Sequence, residues 1–285
     1  MKKQILYLFF ILLFLNGHSQ EIGNDSVAKE RKVEIKLDLA SRYIWRGQSW
    51  GGNYVVFQPS VEYKITKKIT TGVWATTNFK RDYFYADGSS YKGYQEIDFY
   101  ISYKVKKYLT FQLSDYYWPS VKKVEGVDNN FFNYGSDGVK TMDFNLLFDF
   151  SEVGFPFNAT ISTLVAGNDF KYDSNGENPK QNFTTYAEVG YDFENIFKSN
   201  SKKMFKNIDV SPSIGVVFNN QAKYYVAGDY DKPSLVNMSL EISREFEINK
   251  NLIMPVSITF THNAASKNTE TFGRNFLIFE VNLTF

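Results

Sequence analysis

From Val33 to Gly47 the chain reads VEIKLDLASRYIWRG, and apolar and polar residues alternate along nearly all of it. Val33, Ile35, Leu37, Leu39, Tyr43 and Trp45 share one parity; Glu34, Lys36, Asp38, Arg42 and Arg46 share the other. Successive side chains of a strand point to opposite faces, so the stretch predicts one apolar and one heavily charged face. A soluble sandwich rarely presents such a charged face. A transmembrane barrel strand does, with lipid on one side, a wet lumen on the other and aromatics at headgroup level. Tyr43 and Trp45 are expected at that headgroup end, facing lipid.

The pattern repeats to the last residue, giving about twelve strands. The second, Tyr54 to Ile65, sets Val55, Phe57, Pro59, Val61, Tyr63 and Ile65 against Gln58, Ser60, Glu62 and Lys64. Ile69 to Phe79 is weaker, with Trp74 predicted inward. Gln95 to Val105 alternates cleanly, with Ile97, Phe99, Ile101 and Tyr103 outward and Glu96, Asp98 and Tyr100 inward. Tyr108 to Trp118, Val139 to Phe150, Phe157 to Ala166, Phe183 to Phe193, Ile208 to Asn219, Leu235 to Phe246, Leu252 to His262 and Arg274 to Phe285 follow the same rule. The final strand ends in phenylalanine, which resembles the C-terminal signal by which bacterial outer-membrane barrels are recognised for insertion.

Short and long connections largely alternate, as periplasmic turns and extracellular loops do. Thr66 to Lys68, Lys106-Lys107, Ser151 to Pro156 and Glu247 to Asn251 are short; Lys80 to Tyr94, Pro119 to Gly138, Asn168 to Asn182 and Asn220 to Ser234 are long. Two connections fit poorly: Glu194 to Asn207 is long for a turn, and the first outer loop, Gln48 to Asn53, is short. The expected fold is therefore all-β, an antiparallel up-and-down transmembrane barrel of about twelve strands, with ten or fourteen also compatible.

Composition narrows the class. Aromatics make up 18% of the chain, with 27 Phe and 20 Tyr, more than a core alone requires and in keeping with interfacial belts. A net charge of +1 gives no electrostatic case for nucleic acid. The absence of cysteine removes disulfides, thiol catalysis and cysteine-held metal. Lys2 and Lys3, the apolar run Ile5 to Leu15 and Gly17-His18-Ser19 form a secretory signal pattern; that run is too short for the ~20 residues of a spanning helix. The expected organisation is a signal peptide over 1–19, a periplasmic lead over 20–32 and a barrel over 33–285, in the bacterial outer membrane.

Ser41-Arg42-Tyr43-Ile44-Trp45-Arg46-Gly47 resembles the S-x-Y-x-W/F-R-G opening of the TorF-type porin family. Gln58-Pro59-Ser60, Gly72-Val73-Trp74-Ala75, Glu96-Ile97-Asp98-Phe99-Tyr100 and Ser114-Asp115-Tyr116-Tyr117 are similar to its further motifs, in order. The resemblance covers roughly the first half of the mature chain. It implies an outer-membrane barrel with a channel role and brings no substrate.

By the assigned parity the lumen is net acidic: Glu34, Asp38, Glu62, Glu96, Asp98, Asp143, Asp149, Glu188, Asp192, Asp209, Glu241, Glu245 and Glu280 point inward against Lys36, Arg42, Arg46, Lys64 and Lys104. Arg42, Arg46, Asp38, Asp98, Asp143, Glu188 and Glu241 are the candidates for a constriction. Opposed charges of this kind serve either an ion-conducting constriction or an ion-paired plug, and the pattern does not choose. The expected partners are outer-membrane lipids and small polar or ionic solutes, with mild cation preference and no cofactor; a closed adhesive barrel binding a partner through its outer loops is the alternative. No enzyme is expected. His262 stands at the outer end of its strand, but the same-face position two along is Ala264, not a hydroxyl. Asp169, Asp173, Asn175 and Glu177 around Gly176 lack a full calcium ligand set, and Lys198, Lys202, Lys203 and Lys206 read equally as a lipid-surface segment or a basic turn.

Overall fold

The computed structural model describes residues 32–80, 93–197, 207–225, 233–249, 252–265 and 273–285. The signal pattern, residues 20–31 of the periplasmic lead and the lysines of 198–206 lie outside them. In chain order the strands are β1 (Val33–Ala40), β2 (Tyr43–Trp45), β3 (Gln48–Trp50), β4 (Val56–Lys64), β5 (Ile69–Thr77), β6 (Gln95–Lys106), β7 (Leu109–Tyr117), β8 (Lys140–Asp149), β9 (Phe157–Gly167), β10 (Phe170–Lys171), β11 (Lys180–Gln181), β12 (Thr185–Tyr191), β13 (Ile208–Val217), β14 (Ser234–Asn249), β15 (Leu252–His262) and β16 (Asn275–Thr284).

Twelve of these close into an antiparallel barrel in which each strand pairs with its neighbour along the chain and β1 pairs with both β4 and β16. Closure leaves no unpaired edge, the condition for a sheet in hydrocarbon. Alternation sets the two faces. Val61, Ile101, Leu113, Phe260 and Phe279 are exposed on the outside, while Gln58, Glu96, Asp143, Asn145, Ser162 and Thr261 are buried on the inside. This is the inside-out arrangement of a transmembrane barrel.

The first predicted strand is shorter than its alternation suggests. The ladder of β1 ends at Ala40, where the Ser41 amide donates to the Phe279 carbonyl (2.8 Å) and the Phe279 amide donates to Ser41 Oγ (3.0 Å). The chain then leaves the wall and forms the separate hairpin β2–β3, closed by Arg46 (φ 49°) and Gly47 (φ 79°). Two residues at positive φ make the primed turn that suits the right-handed twist of a hairpin. The expectation that Tyr43 and Trp45 face lipid is thereby overturned. Tyr43 is buried inside the barrel, its ring 5.4 Å from Trp74 and 5.7 Å from Tyr94, and Trp45 lies 5.0 Å from Tyr225. The short first outer loop is likewise corrected: residues 41–55 connect β1 to β4 and contain the hairpin.

One long connection covers the outside of the wall. Asp115 and Lys140 share the outward face at the loop-bearing rim and pair at 2.8 Å. Residues 119–138 fold against them: Phe131 packs on Phe99 and lies 3.1 Å from the Lys140 ammonium, and Tyr134 donates to Asp115 (3.0 Å). An outward ion pair facing hydrocarbon is costly, and the loop encloses this one in aromatic rings.

Gly72 marks a close approach within the wall. A Cβ there would stand 2.4 Å from the ring of Tyr100, which lies over the glycine and donates to Glu62 (2.9 Å). Gly72→Ala is therefore expected to displace the ring and cost ~1–3 kcal/mol of barrel stability, read as a lower thermal midpoint in detergent; an unchanged midpoint would show that the ring has room to move.

Candidate functional site

The hairpin β2–β3 crosses the barrel interior and delivers Arg46 to the opposite wall. Arg46 Nη2 donates to Asp143 Oδ2 (2.7 Å), Asn145 Oδ1 (3.0 Å) and Ser162 Oγ (2.5 Å), and Nη1 donates to Tyr225 (2.6 Å). The guanidinium lies over the rings of Trp45 (4.6 Å) and Tyr186 (5.1 Å). Asp143 is fully buried on β8 and also accepts from Tyr116 (3.0 Å) and Ser162 (2.7 Å). A desolvated charge pair is held only when the remaining donors and acceptors are satisfied, and here they are.

The tip is fitted to its surroundings. A Cβ at Gly47 would stand 1.9 Å from the Val236 carbonyl, so only glycine admits this approach to β14, and Asn263 donates to the Gly47 carbonyl (3.0 Å). At the hairpin base, Asn78 donates to the Gly51 carbonyl (2.9 Å) and Trp50 stacks on Tyr94. Residues 220–225 fold in from another long connection. Tyr225 is fully buried and stacks on Tyr186, and Tyr224 packs edge-on to Trp118. The outer part of the lumen is thus filled by an aromatic plug built around one arginine.

A cavity of about 320 Å³ remains beside the hairpin. Arg42, Trp74, Asn237, Ser239, Thr259 and Glu280 are among its lining residues. Arg42 rests over Phe276 (5.3 Å), and Glu280 accepts from Asn282 (2.7 Å). Towards the short-turn rim the inward face carries Glu62, Asp192, Asp209 and Glu241, with Lys36 paired to Glu34 (2.6 Å).

The residues singled out from sequence are distributed over these features. Arg46 and Asp143 meet directly, although Arg46 arrives from the hairpin and not from the wall. Arg42 also leaves the wall and lines the cavity. Glu188 accepts from Tyr186 and from Asn237 (2.5 Å), next to the plug. Asp98 is buried in the wall two positions from Glu96, which accepts from Tyr94 (2.7 Å). Asp38 accepts from Asn282 (2.8 Å), and Glu241 lies near Thr259 (3.4 Å), so neither joins the clamp. Alternation carried no signal for Tyr225, which reaches Arg46 from 179 residues away in sequence.

Two other motifs are separated from any chemistry. Asp169 is fully buried and accepts from the Thr184 amide (2.8 Å) and hydroxyl (2.6 Å); burial raises its carboxyl pKa against those two donors. Asp173 instead closes a local turn with Asn175, Glu177 and Asn178, and no group of three metal-type ligands occurs among the described residues. His262 faces outward at the rim, its Nδ1 2.8 Å from Asn275 Oδ1, with Ala264 on the same face.

No family model and no curated protein matches the chain, so the TorF-type resemblance rests on the quoted motifs alone. Solved structures with a similar course include the NanC porin (8% identity, TM-score 0.46, 89% of this chain and 98% of that one). They also include an outer-membrane channel from Pseudomonas putida F1 (8%, 0.45, 93% and 99%) and LpxR from Salmonella typhimurium (9%, 0.43, 88% and 99%).

Removing one partner of a buried ion pair strands the other, at ~3–5 kcal/mol. Arg46→Ala is expected to release the hairpin, read as faster hydrogen exchange over residues 43–50 while the barrel strands stay protected. Asp143→Asn should do the same more weakly, because Tyr116 and Ser162 keep a partner. Protection unchanged in both variants would show that ring packing alone seats the hairpin.

Proposed function

We propose that this protein is a porin-like channel of the bacterial outer membrane that passes small polar or ionic solutes, with a mild cation preference and an outer constriction formed by the β2–β3 hairpin. The observation that carries the reading is the division of the closed wall into an apolar outside and a polar, net acidic inside, with open volume left beside the plug. An impermeable anchor has no need of a hydrated interior. Carboxylates along a low-dielectric conduit concentrate cations and exclude anions. Asp38, Glu188 and Glu241, with Glu62 and Asp209, are the residues assigned to that field; Asp98 and Asp143 are assigned to holding the plug region.

The TorF-type resemblance supports the same reading, because the residues that carry it, Ser41 to Gly47, are those that leave the wall and narrow the lumen. The alternative is a closed barrel that binds a partner through its long loops. It is favoured by the completeness of the Arg46 clamp. A lipid-modifying enzyme has less support: His262 has an orienting carboxamide in Asn275 but Ala264 where a nucleophile on its own face would stand.

Purified protein in a planar bilayer is expected to carry a small steady current with cation-selective reversal potentials. Replacing residues 43–50 by a short Gly/Ser linker should raise the conductance several-fold, and Asp38→Asn combined with Glu241→Gln should reduce the cation preference. A folded barrel silent in both forms would sink the channel and leave the closed barrel.

A further inference from the structure

Arg42 and Glu280 line the same 320 Å³ cavity, yet Arg42 rests on Phe276 and Glu280 on Asn282, and the two form no ion pair with each other. Among the described residues Arg42 has no carboxylate partner; its guanidinium rests over the Phe276 ring. Glu280 has the Asn282 amide and no cation. Both facts are unusual in an acidic lumen where Arg46, Lys36 and Lys104 each have a carboxylate at 2.6–2.7 Å. Two opposite charges that line one cavity without pairing are complementary to a solute that carries both. Ser239 on β14 and Thr259 and Thr261 on β15 add hydroxyls to the lining, and Trp74 adds an aromatic surface. The volume lies at the lower end of small-molecule sites, roughly 300–1,000 Å³.

We propose that this cavity is a binding site for small zwitterionic solutes of the amino-acid type, with the carboxylate on Arg42, the ammonium on Glu280 and the side chain along Trp74. The planar guanidinium fork suits a carboxylate in two-point contact. Glu280 supplies the first anionic step towards the acidic inner wall, so the ammonium end leads the solute inward. The site deepens the channel reading and rests on it for the route by which a solute arrives.

The test is calorimetric binding to the full-length protein in detergent, with three ligands: L-glutamine, L-glutamine amide, which lacks the carboxylate, and N-acetyl-L-glutamine, which lacks the ammonium. Wild-type protein is expected to bind glutamine about tenfold or more tightly than either analogue, the scale of one charge-assisted contact. Arg42→Gln should abolish the preference over the amide, and Glu280→Gln the preference over the acetylated form. Heat-modifiable migration checks folding; if Arg42→Gln does not fold, Glu280→Gln carries the test through the ammonium arm. No glutamine binding by the wild type, equal binding of the three ligands, or a folded variant that keeps the wild-type order overturns the site. A bilayer recording separates the two readings: binding without current retires the channel and leaves the site, whereas current without binding retires the site alone.

Discussion

The contact between Arg46 and Asp143 fixes the arrangement of everything inside this barrel. It joins the tip of a hairpin hung from one wall to a strand on the other, through a carboxylate that is completely buried. Such a pair gains little net stability over a well-packed apolar substitute, but it is intolerant of being half made. Once Arg46 is seated, Trp45 is pressed between Tyr116 and Tyr225, the close approach of Gly47 to Val236 follows, and residues 220–225 gain a reason to fold inward. The plug is therefore specified by polar geometry and filled by aromatic packing.

The outside and inside of the wall solve opposite problems. Outside, single apolar side chains suffice, and the charged pair of Asp115 with Lys140 at the rim is wrapped by residues of the 119–138 connection. Inside, carboxylates are held by cations, as Asp143 by Arg46, or by amide donors, as Asp38 by Asn282 and Glu188 by Asn237. The cavity beside the hairpin is where this economy is incomplete, since Arg42 and Glu280 face the same space without touching. That incompleteness marks a place for a solute.

The TorF-like heptad takes on physical meaning in this setting. Ser41 ends the first wall strand on Phe279, Tyr43 and Trp45 supply the inner packing, Arg46 makes the clamp and Gly47 permits the turn. Read as a strand, the same residues promised a lipid-facing aromatic end. The alternation from Ser41 to Arg46 is real, but it belongs to a different hairpin, with a different pair of faces.

What the sequence determined by itself was the wall. A side-chain period of two, repeated with short turns such as 66–68 and 106–107, specifies antiparallel strands, their inward and outward faces and a strand count that closure confirms, because each of these is local or joins neighbours along the chain. Only the tertiary structure decided what fills the lumen. Arg46 meets Asp143 across 97 residues and Tyr225 across 179, and no periodicity encodes contacts between segments so far apart. The inward turn at Ser41 depends on Phe279 of the last strand, which stands beside it only after the barrel has closed. Parity states which way a side chain points; whether it meets water, a solute or an opposite charge depends on what else occupies the interior.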